Sequence, residues 1–355
     1  MRLHVKQVNR FFLLATAPFI GILLCLMISY QPIELKLDTR PYIPIESMQS
    51  QTNNINDQLM KAQSTVKSTL TTLHQTSELY QKTLETTNSI VLTTKSQVKM
   101  PEYIYNRRVI SKLGTPYETV KTDRISIELF KVNPGVYRGY AMKVKLKDPS
   151  AMSMSLGKDT LGGSETTLQA VRRKGAIAGI NAGGYADDRK RRYPLSTTVL
   201  NGQYLTGFEA SYKNLAFVGM NSYGKLIGGK FYNQKELDKL KPKFGATFVP
   251  VLLQNGQKMP IPIKWQTSPK RAPRTIIGNY KDDQLLILVI DGYDENGGSG
   301  ATLQEIQNKL LQLGVRNAYN LDGGGSSSLI LNGRVINKPS DGALRSVPTH
   351  FLFFK

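Results

Sequence analysis

Two aspartates leave strand-like runs directly into glycine. Asp291 follows the apolar run Leu285–Ile290 and precedes Gly292. Asp322 follows Asn320-Leu321 and precedes Gly323-Gly324-Gly325-Ser326-Ser327-Ser328. An acid at the exit of a buried strand stands at the rim of a sheet, a common place for a site. Asp-Gly is also a favoured turn pair, and at Asp291 taken alone the turn is the simpler reading. The glycine triplet asks for more. Three consecutive glycines are costly in backbone entropy, and a tight turn rarely needs them. They let a backbone approach a ligand closely, and their N–H groups could cradle an oxyanion or phosphate. A structural hairpin is the competing explanation. A nucleotide-binding loop is excluded, because the Gly-Lys-Ser/Thr ending is missing and the strand-like Leu329–Leu331 follows. A third run, Gly179-Ile180-Asn181-Ala182-Gly183-Gly184-Tyr185, again carries a strand into a polar residue and glycines. The basic stretch Arg189–Arg192 comes soon after it, as a solvated loop or an anion-attracting rim.

The supply of other reactive groups is small. The single cysteine, Cys25, lies in an apolar N-terminal run, so the rest of the chain has no thiol nucleophile and no disulfide. Of three histidines, His4, His74 and His350, only His350 could serve a site near these loops, and its place in the final strand-like run suits a structural role. Carboxylates are therefore the natural acid–base groups. Ser326 is a poor serine nucleophile: no base is apparent, and Gly-Gly-Gly-Ser is not a nucleophile elbow.

Elements that could position these residues are legible from Tyr103 onward. Ile125–Val132, Tyr140–Leu146, Ala176–Ile180, Leu215–Val218 and Leu285–Ile290 read as strands bounded by turn residues. Ser164–Lys174 reads as a helix ending before Gly175. Thr302–Leu313 reads as another, with a Thr302/Glu305 capping box, apolar residues at helical spacing and Gly314 as its stop. The fold class expected is α+β, a mixed-sheet domain with flanking helices.

Before that domain the chain changes character twice. Phe11–Tyr30 is free of charge and long enough to cross a bilayer core of roughly 30 Å. Arg2, Lys6 and Arg10 precede it, which puts residues 1–10 in the cytoplasm and the remainder outside. Cleavage as a signal peptide is disfavoured: Ala15-Thr16-Ala17 comes too early in the run and Pro18 follows it. Lipidation of Cys25 is disfavoured by Leu24. Residues 31–47, with Pro32, Pro41 and Pro44, read as an extended linker. From Met48 to Val98 proline and glycine are absent, and Leu59, Val66, Leu73 and Tyr80 recur every seven residues, with Leu70, Leu84, Val91 and Val98 offset by four. This is coiled-coil spacing, interrupted at Gln63, Ser77, Thr87 and Thr94, and it predicts a helical stalk that could self-associate; a disordered tether is the alternative.

The 47 Lys and Arg against 26 Asp and Glu leave a net charge of +21. Such a surface is either simply solvated or matched to a polyanion. No zinc-finger spacing, basic zipper or RNP-like strand is present, so no nucleic-acid partner is expected. Anionic lipid or a phosphate-bearing wall polymer fits the topology better.

The order of the pieces resembles the phosphodiester glycosidase family. The resemblance runs through Asn181-Ala182-Gly183-Gly184-Tyr185, Pro273-Arg274-Thr275-Ile276-Ile277-Gly278, Asp291-Gly292, Ser299-Gly300-Ala301-Thr302-Leu303, Asn320-Leu321-Asp322-Gly323-Gly324-Gly325-Ser326-Ser327 and Asn337-Lys338-Pro339-Ser340-Asp341-Gly342. It is strongest over 170–355. It implies hydrolysis of a sugar-1-phosphodiester between sugar and phosphate, with Asp291 and Asp322 as the carboxylate pair such chemistry uses. Arg274 and Arg345 would hold phosphate, since a guanidinium fork matches its oxygens; either could instead form a structural ion pair. Asn181 and Asn320 would bind sugar hydroxyls or fix loops. Gly183, Gly184, Gly292, Gly323, Gly324, Gly325 and Ser326 would line the substrate. A divalent cation could join the two aspartates to phosphate, although nothing in the sequence demands one. Two departures stand out: Ala182 interrupts an Asn-Gly-Gly pattern, and Tyr293 replaces an Arg found in many members.

The expected organisation is a cytoplasmic tail at 1–10, an anchor at 11–30, a linker and stalk at 31–100, and a catalytic domain at 101–355 on a Gram-positive surface. A non-catalytic binder of an anionic polysaccharide, or an exopolysaccharide assembly protein, is the alternative.

Overall fold

The computed structural model describes residues 2–29, 45–292 and 300–355. Residues 31–44 of the linker expected at 31–47, and the calls on Tyr293 and Ser299, lie outside them; residues 45–47 are helical, not extended. The chain divides into two compact units, Met1–Val91 and Leu92–Lys355.

The first unit holds the helix Arg2–Ser29 and most of a second helix, Ile45–Leu113. Phe12–Ser29 has a mean hydropathy of 2.4 and is long and apolar enough to cross a membrane. The threonine-rich second helix satisfies its hydroxyls locally. Thr65, Thr69, Thr72, Thr76, Thr83 and Thr87 each donate to the carbonyl four residues back, at 2.7–2.9 Å. That i−4 bond satisfies each hydroxyl without stabilising the helix, which therefore depends on packing. The helix does not stop at 100. In the second unit it runs on to Leu113, where Val109 is buried and Tyr105, Ile110 and Leu113 pack against a core.

Three large antiparallel sheets and a two-stranded hairpin, Tyr185–Asp188 paired with Arg191–Pro194, build the second unit among the described residues. Sheet I has eight strands in the order Glu118–Lys121, Ile125–Val132, Gly139–Leu146, Leu285–Ile290, Arg274–Asn279, Asn317–Leu321, Val251–Gln254, Gln257–Lys258. Sheet II runs Leu226–Gly229, Ala216–Asn221, Pro242–Phe248, Val199–Leu200, Gln203–Tyr204. Sheet III runs Arg334–Val335, Leu329–Leu331, Ala178–Asn181, Thr349–Phe353, Met152–Leu156. The main core lies between sheet I and the other two: Ile127, Met142, Ile277, Ile287, Val289 and Leu321 face Val218, Phe244, Ile180, Leu329 and Phe351.

The other face of sheet I is covered by the helix Leu303–Leu313, through Leu303, Ile306, Leu310 and Leu313. Each such burial contributes about 1.5–3 kcal/mol. This two-sided cover explains the unbroken apolar run Leu285–Ile290: its odd residues enter the main core and its even residues meet the helix. The capping box of Thr302 and Glu305 and the left-handed Gly314 stand where the sequence put them. On the far side of sheet III, the helix Thr167–Lys174 packs Ala170 and Val171 against Ile330 and Leu352. It begins three residues later than expected. Thr166 is its cap, paired with Gln169. Glu165 is held extended by a bridge to Val347, so the helix cannot start earlier. The fold is α+β, with helices flanking layered sheets.

Candidate active site

Three neighbouring strand ends supply the site. Asn317–Leu321 delivers Asp322, Leu285–Ile290 delivers Asp291, and Ala178–Asn181 ends at Asn181. Asn181 is fully buried, and both its side-chain oxygen and nitrogen are hydrogen-bonded. Its Nδ2 donates to the carbonyl oxygen of Asp322 at 2.6 Å. Its Oδ1 accepts from Thr275 Oγ1 at 2.9 Å and from the Ser328 amide at 3.0 Å. The Asp322 amide donates to the carbonyl of Ala182. Asn181 is thus a loop-fixing residue that ties sheet III to the exit of Asp322, and the Ala182 carbonyl is part of that tie. Asn320 likewise is buried and donates through Nδ2 to Val249 O at 2.6 Å.

The glycine triplet is required by shape. The Gly323 amide donates to Asp322 Oδ1 at 3.0 Å, and the Gly324 amide to Pro273 O. The amides of Ser326 and Ser327 turn back onto Gly323 and Gly324. These four amides are spent on the protein's own oxygens. What the loop needs is absent side chains. A Cβ at Gly323 would lie 2.8 Å from Pro273 O, Gly324 sits at φ +58°, and a Cβ at Gly325 would overlap the Asp341 carboxylate and the Arg345 guanidinium. Gly183 and Gly184 are required for packing in the same way. Their missing side chains leave room for Ala246, Thr247 and the Phe248 ring.

Asp322 has partial solvent access, yet it lies deep enough that burial dominates its titration. Burial pushes its pKa from 3.8 up to about 6. The Ser326 hydroxyl, the Gly323 amide and the positive charges of Arg345 and Arg192 pull the other way. The buried Ser326 hydroxyl lies close to the carboxylate but makes no well-formed hydrogen bond. The two arginines form a cluster with Tyr185 over the loop. Arg192 stacks on the Tyr185 ring at 4.9 Å, ion-pairs with Asp187 at 3.0 Å, and donates to Ser346 O. Arg345 pairs with Asp341 at 2.6 Å and interacts with the Tyr185 hydroxyl.

Asp291 plays a different part. Its Oδ1 accepts the Lys338 amide at 2.8 Å, and its own amide donates to Arg138 O. The Lys338 segment is held at its other end by Asn337, which bonds the Ser327 carbonyl and the Leu329 amide. Asp291 therefore anchors the segment that carries Asp341 towards Arg345. Gly292 packs tightly between Pro273 and Ser340, so both Asp-Gly pairs flank Pro273.

Arg274 is not brought to this cluster. It is buried, donates to the carbonyls of Ala301 and Pro269, and has no carboxylate partner among the described residues. Burial pushes its pKa down to about 10. His350 is fully buried, bonded to Thr167 Oγ1 at 3.2 Å, and held neutral by a pKa lowered to about 4 through burial. Among the described residues no three His, Cys, Asp or Glu side chains come together as a metal site. Asp341, Arg192 and Tyr185 were missed as site residues. The basic stretch at Arg189–Arg192 hinted at Arg192, and Tyr185 and Asp341 lay within the family-like strings without being singled out. A concavity of about 690 Å³, lined by residues such as Phe231, Met259 and Ile261, contains none of these groups.

The family model for phosphodiester glycosidase matches residues 174–354. The SPbeta prophage-derived uncharacterized protein YomE of Bacillus subtilis is 28% identical over 194 residues, 52% of this chain and 28% of that protein. N-acetylglucosamine-1-phosphodiester alpha-N-acetylglucosaminidase of Bos taurus is 44% identical over 68 residues, 19% of this chain and 12% of that enzyme. The matches thus take in less than a third of either relative's length. Among solved structures, the zebrafish N-acetylglucosamine-1-phosphodiester alpha-N-acetylglucosaminidase catalytic domain, auto-inhibited by its pro-peptide, aligns with a TM-score of 0.52 at 19% identity. That alignment covers 68% of this chain and 88% of that one. At this identity the likeness speaks for the fold.

Proposed function

This chain belongs to the phosphodiester glycosidase family, and on that premise we propose that it hydrolyses a sugar-1-phosphodiester between the sugar and the phosphate. The observation that carries the reading is Asp322, a carboxylate with a pKa raised to about 6 by burial, set beside Arg345 and Arg192.

In the proposed reaction the bond between the anomeric carbon and the bridging oxygen breaks, and the phosphate leaves as a monoester anion. Arg345 and Arg192 stabilise the charge that gathers on it, which is where fixed cations lower a barrier most. Asp322, ionised above its pKa, takes a proton from the water that adds to the anomeric carbon. A base with a pKa near the working pH is well matched to that transfer. The departing phosphate is a weak base, so it needs charge neutralisation more than it needs a proton. Asp291 acts through position, by holding the Lys338–Asp341 segment. Asn181 fixes the backbone from which Asp322 projects.

The apolar helix fits a signal anchor or a membrane span. We place residues 1–10 on the cytoplasmic side and the Leu92–Lys355 unit outside, facing phosphate-bearing glycans of a Gram-positive surface. The excess of 47 basic over 26 acidic residues favours such a substrate.

The test is incubation of the full chain in detergent with a panel of sugar-1-phosphodiesters and purified wall polymers, reading released reducing sugar and phosphomonoester together. Equimolar release of the two supports the reading. Salt-sensitive binding without release replaces it with a polymer-binding module.

A further inference from the structure

The helix Ile45–Leu113 exposes a seam that has a definite shape. Leu59, Val66, Leu73 and Tyr80 occupy one heptad position, d, and Gln63, Leu70, Ser77, Leu84 and Val91 occupy the other, a. Leu59, Val66, Leu70, Leu73, Tyr80, Leu84 and Val91 are 43–67% exposed. A long threonine-rich helix gains little from intrinsic propensity and draws most of its stability from packing an apolar face. Something must cover this one.

Two further observations say what does. First, the charges are sorted. Asp57, Glu78 and Glu85 fall at position b, and Lys61 and Lys82 at position f, all on the face away from the seam. Only Lys67, at e, borders it. The flanking e and g positions therefore carry no charge code for a different helix, and they place no array of like charges against a copy of themselves. Second, a concavity of about 320 Å³ on this surface is lined by Leu59, Ala62, Gln63, Val66, Lys67 and Leu70. In a parallel, in-register coiled coil the knob from position 63 enters a hole made by 59, 62, 63 and 66. The knob from 66 enters a hole made by 63, 66, 67 and 70. The lining of the concavity is the union of those two holes.

We propose that this seam is covered by the same seam of a second copy of the chain, in a parallel, in-register coiled coil over residues 56–91. The polar residues Asn56, Gln63, Ser77 and Thr87 then meet their own copies, which fixes register at some cost in stability. Apolar helices held in one membrane would give the copies a common direction and a high local concentration. The assembly is independent of the reaction assigned to the Leu92–Lys355 unit.

The experiment uses the full chain in membranes, with Cys25→Ser as background and single cysteines introduced as Leu70→Cys, Leu84→Cys, Gln75→Cys or Ser89→Cys. Mild oxidation should yield cross-linked dimer at 70 and 84 at least several-fold above that at the outward positions 75 and 89. Equal yields at all four positions, or none at the seam, overturn the proposal. Light scattering in detergent guards against misfolded variants. Wild type should show a multiple of the chain mass, and Leu70→Lys with Leu84→Lys should fall to a single chain while the thermal transition of the other unit is unchanged. A wild type of single-chain mass overturns the proposal, whether or not it captures another protein.

Discussion

Asn181 Nδ2 donates to the main-chain carbonyl oxygen of Asp322 across 2.6 Å, while Asn181 Oδ1 takes hydrogen bonds from Thr275 and Ser328. One buried amide thus joins sheet III, sheet I and the glycine loop. Asn181→Asp replaces the donor with an acceptor facing a carbonyl. We expect a loss of about 1–3 kcal/mol in stability, the usual cost of a buried polar group left unsatisfied. A fall in rate of more than tenfold should accompany it. Thermal melting and initial rates check this together. An unchanged melt would show that the three bonds do not set the loop.

Asp322 should trade stability for function. Its folded pKa is about 6 against 3.8 unfolded, so the folded state holds its proton longer. Stability from this group is present below pH 3.8 and is lost as pH rises through 6. Above that the penalty is about 3 kcal/mol by linkage. Asp322→Asn should therefore melt higher than wild type at pH 7, with the advantage vanishing by pH 4. Melting curves at the two pH values decide it, and a variant less stable at pH 7 would contradict the burial argument.

The same pKa sets the pH profile. With Asp322 as a base, kcat/KM should rise through pH 6 and level above it. A profile that falls above pH 6 would assign Asp322 the acid role instead.

Gly325 tests the arginine cluster. Gly325→Ala would push on the flexible ends of Asp341 and Arg345, so the melt should move little. Arg345 would shift, and kcat/KM should drop about tenfold or more, as misplacement by an ångström can cost two orders of magnitude. A large stability loss with normal activity in the surviving fraction would show that the cluster is structural only.

Much of this fold is legible in the sequence where local chemistry decides the outcome. Leu285–Ile290 and the helix after Thr302 are set by their own apolar spacing and caps. The start of the helix before Lys174 was not, because Ser164 and Thr166 are both able caps and only the Glu165–Val347 bridge chooses between them. The glycine triplet has one sequence and two physical uses. The carbonyl of Pro273 and the Asp341–Arg345 pair, both distant along the chain, select the steric one. Arg192 and Arg274 show the same limit. Two similar arginines near glycine-rich runs end in different places, one over Asp322 and one buried against Ala301 and Pro269.

The most direct measurement compares wild type, Asp322→Asn and Asp291→Asn in release of sugar from a sugar-1-phosphodiester. Asp322→Asn should lose about two to four orders of magnitude, the span of a lost general base. Asp291→Asn can still accept the Lys338 amide and should lose less than tenfold. Release that survives in Asp322→Asn at the wild-type rate would contradict the account at its centre.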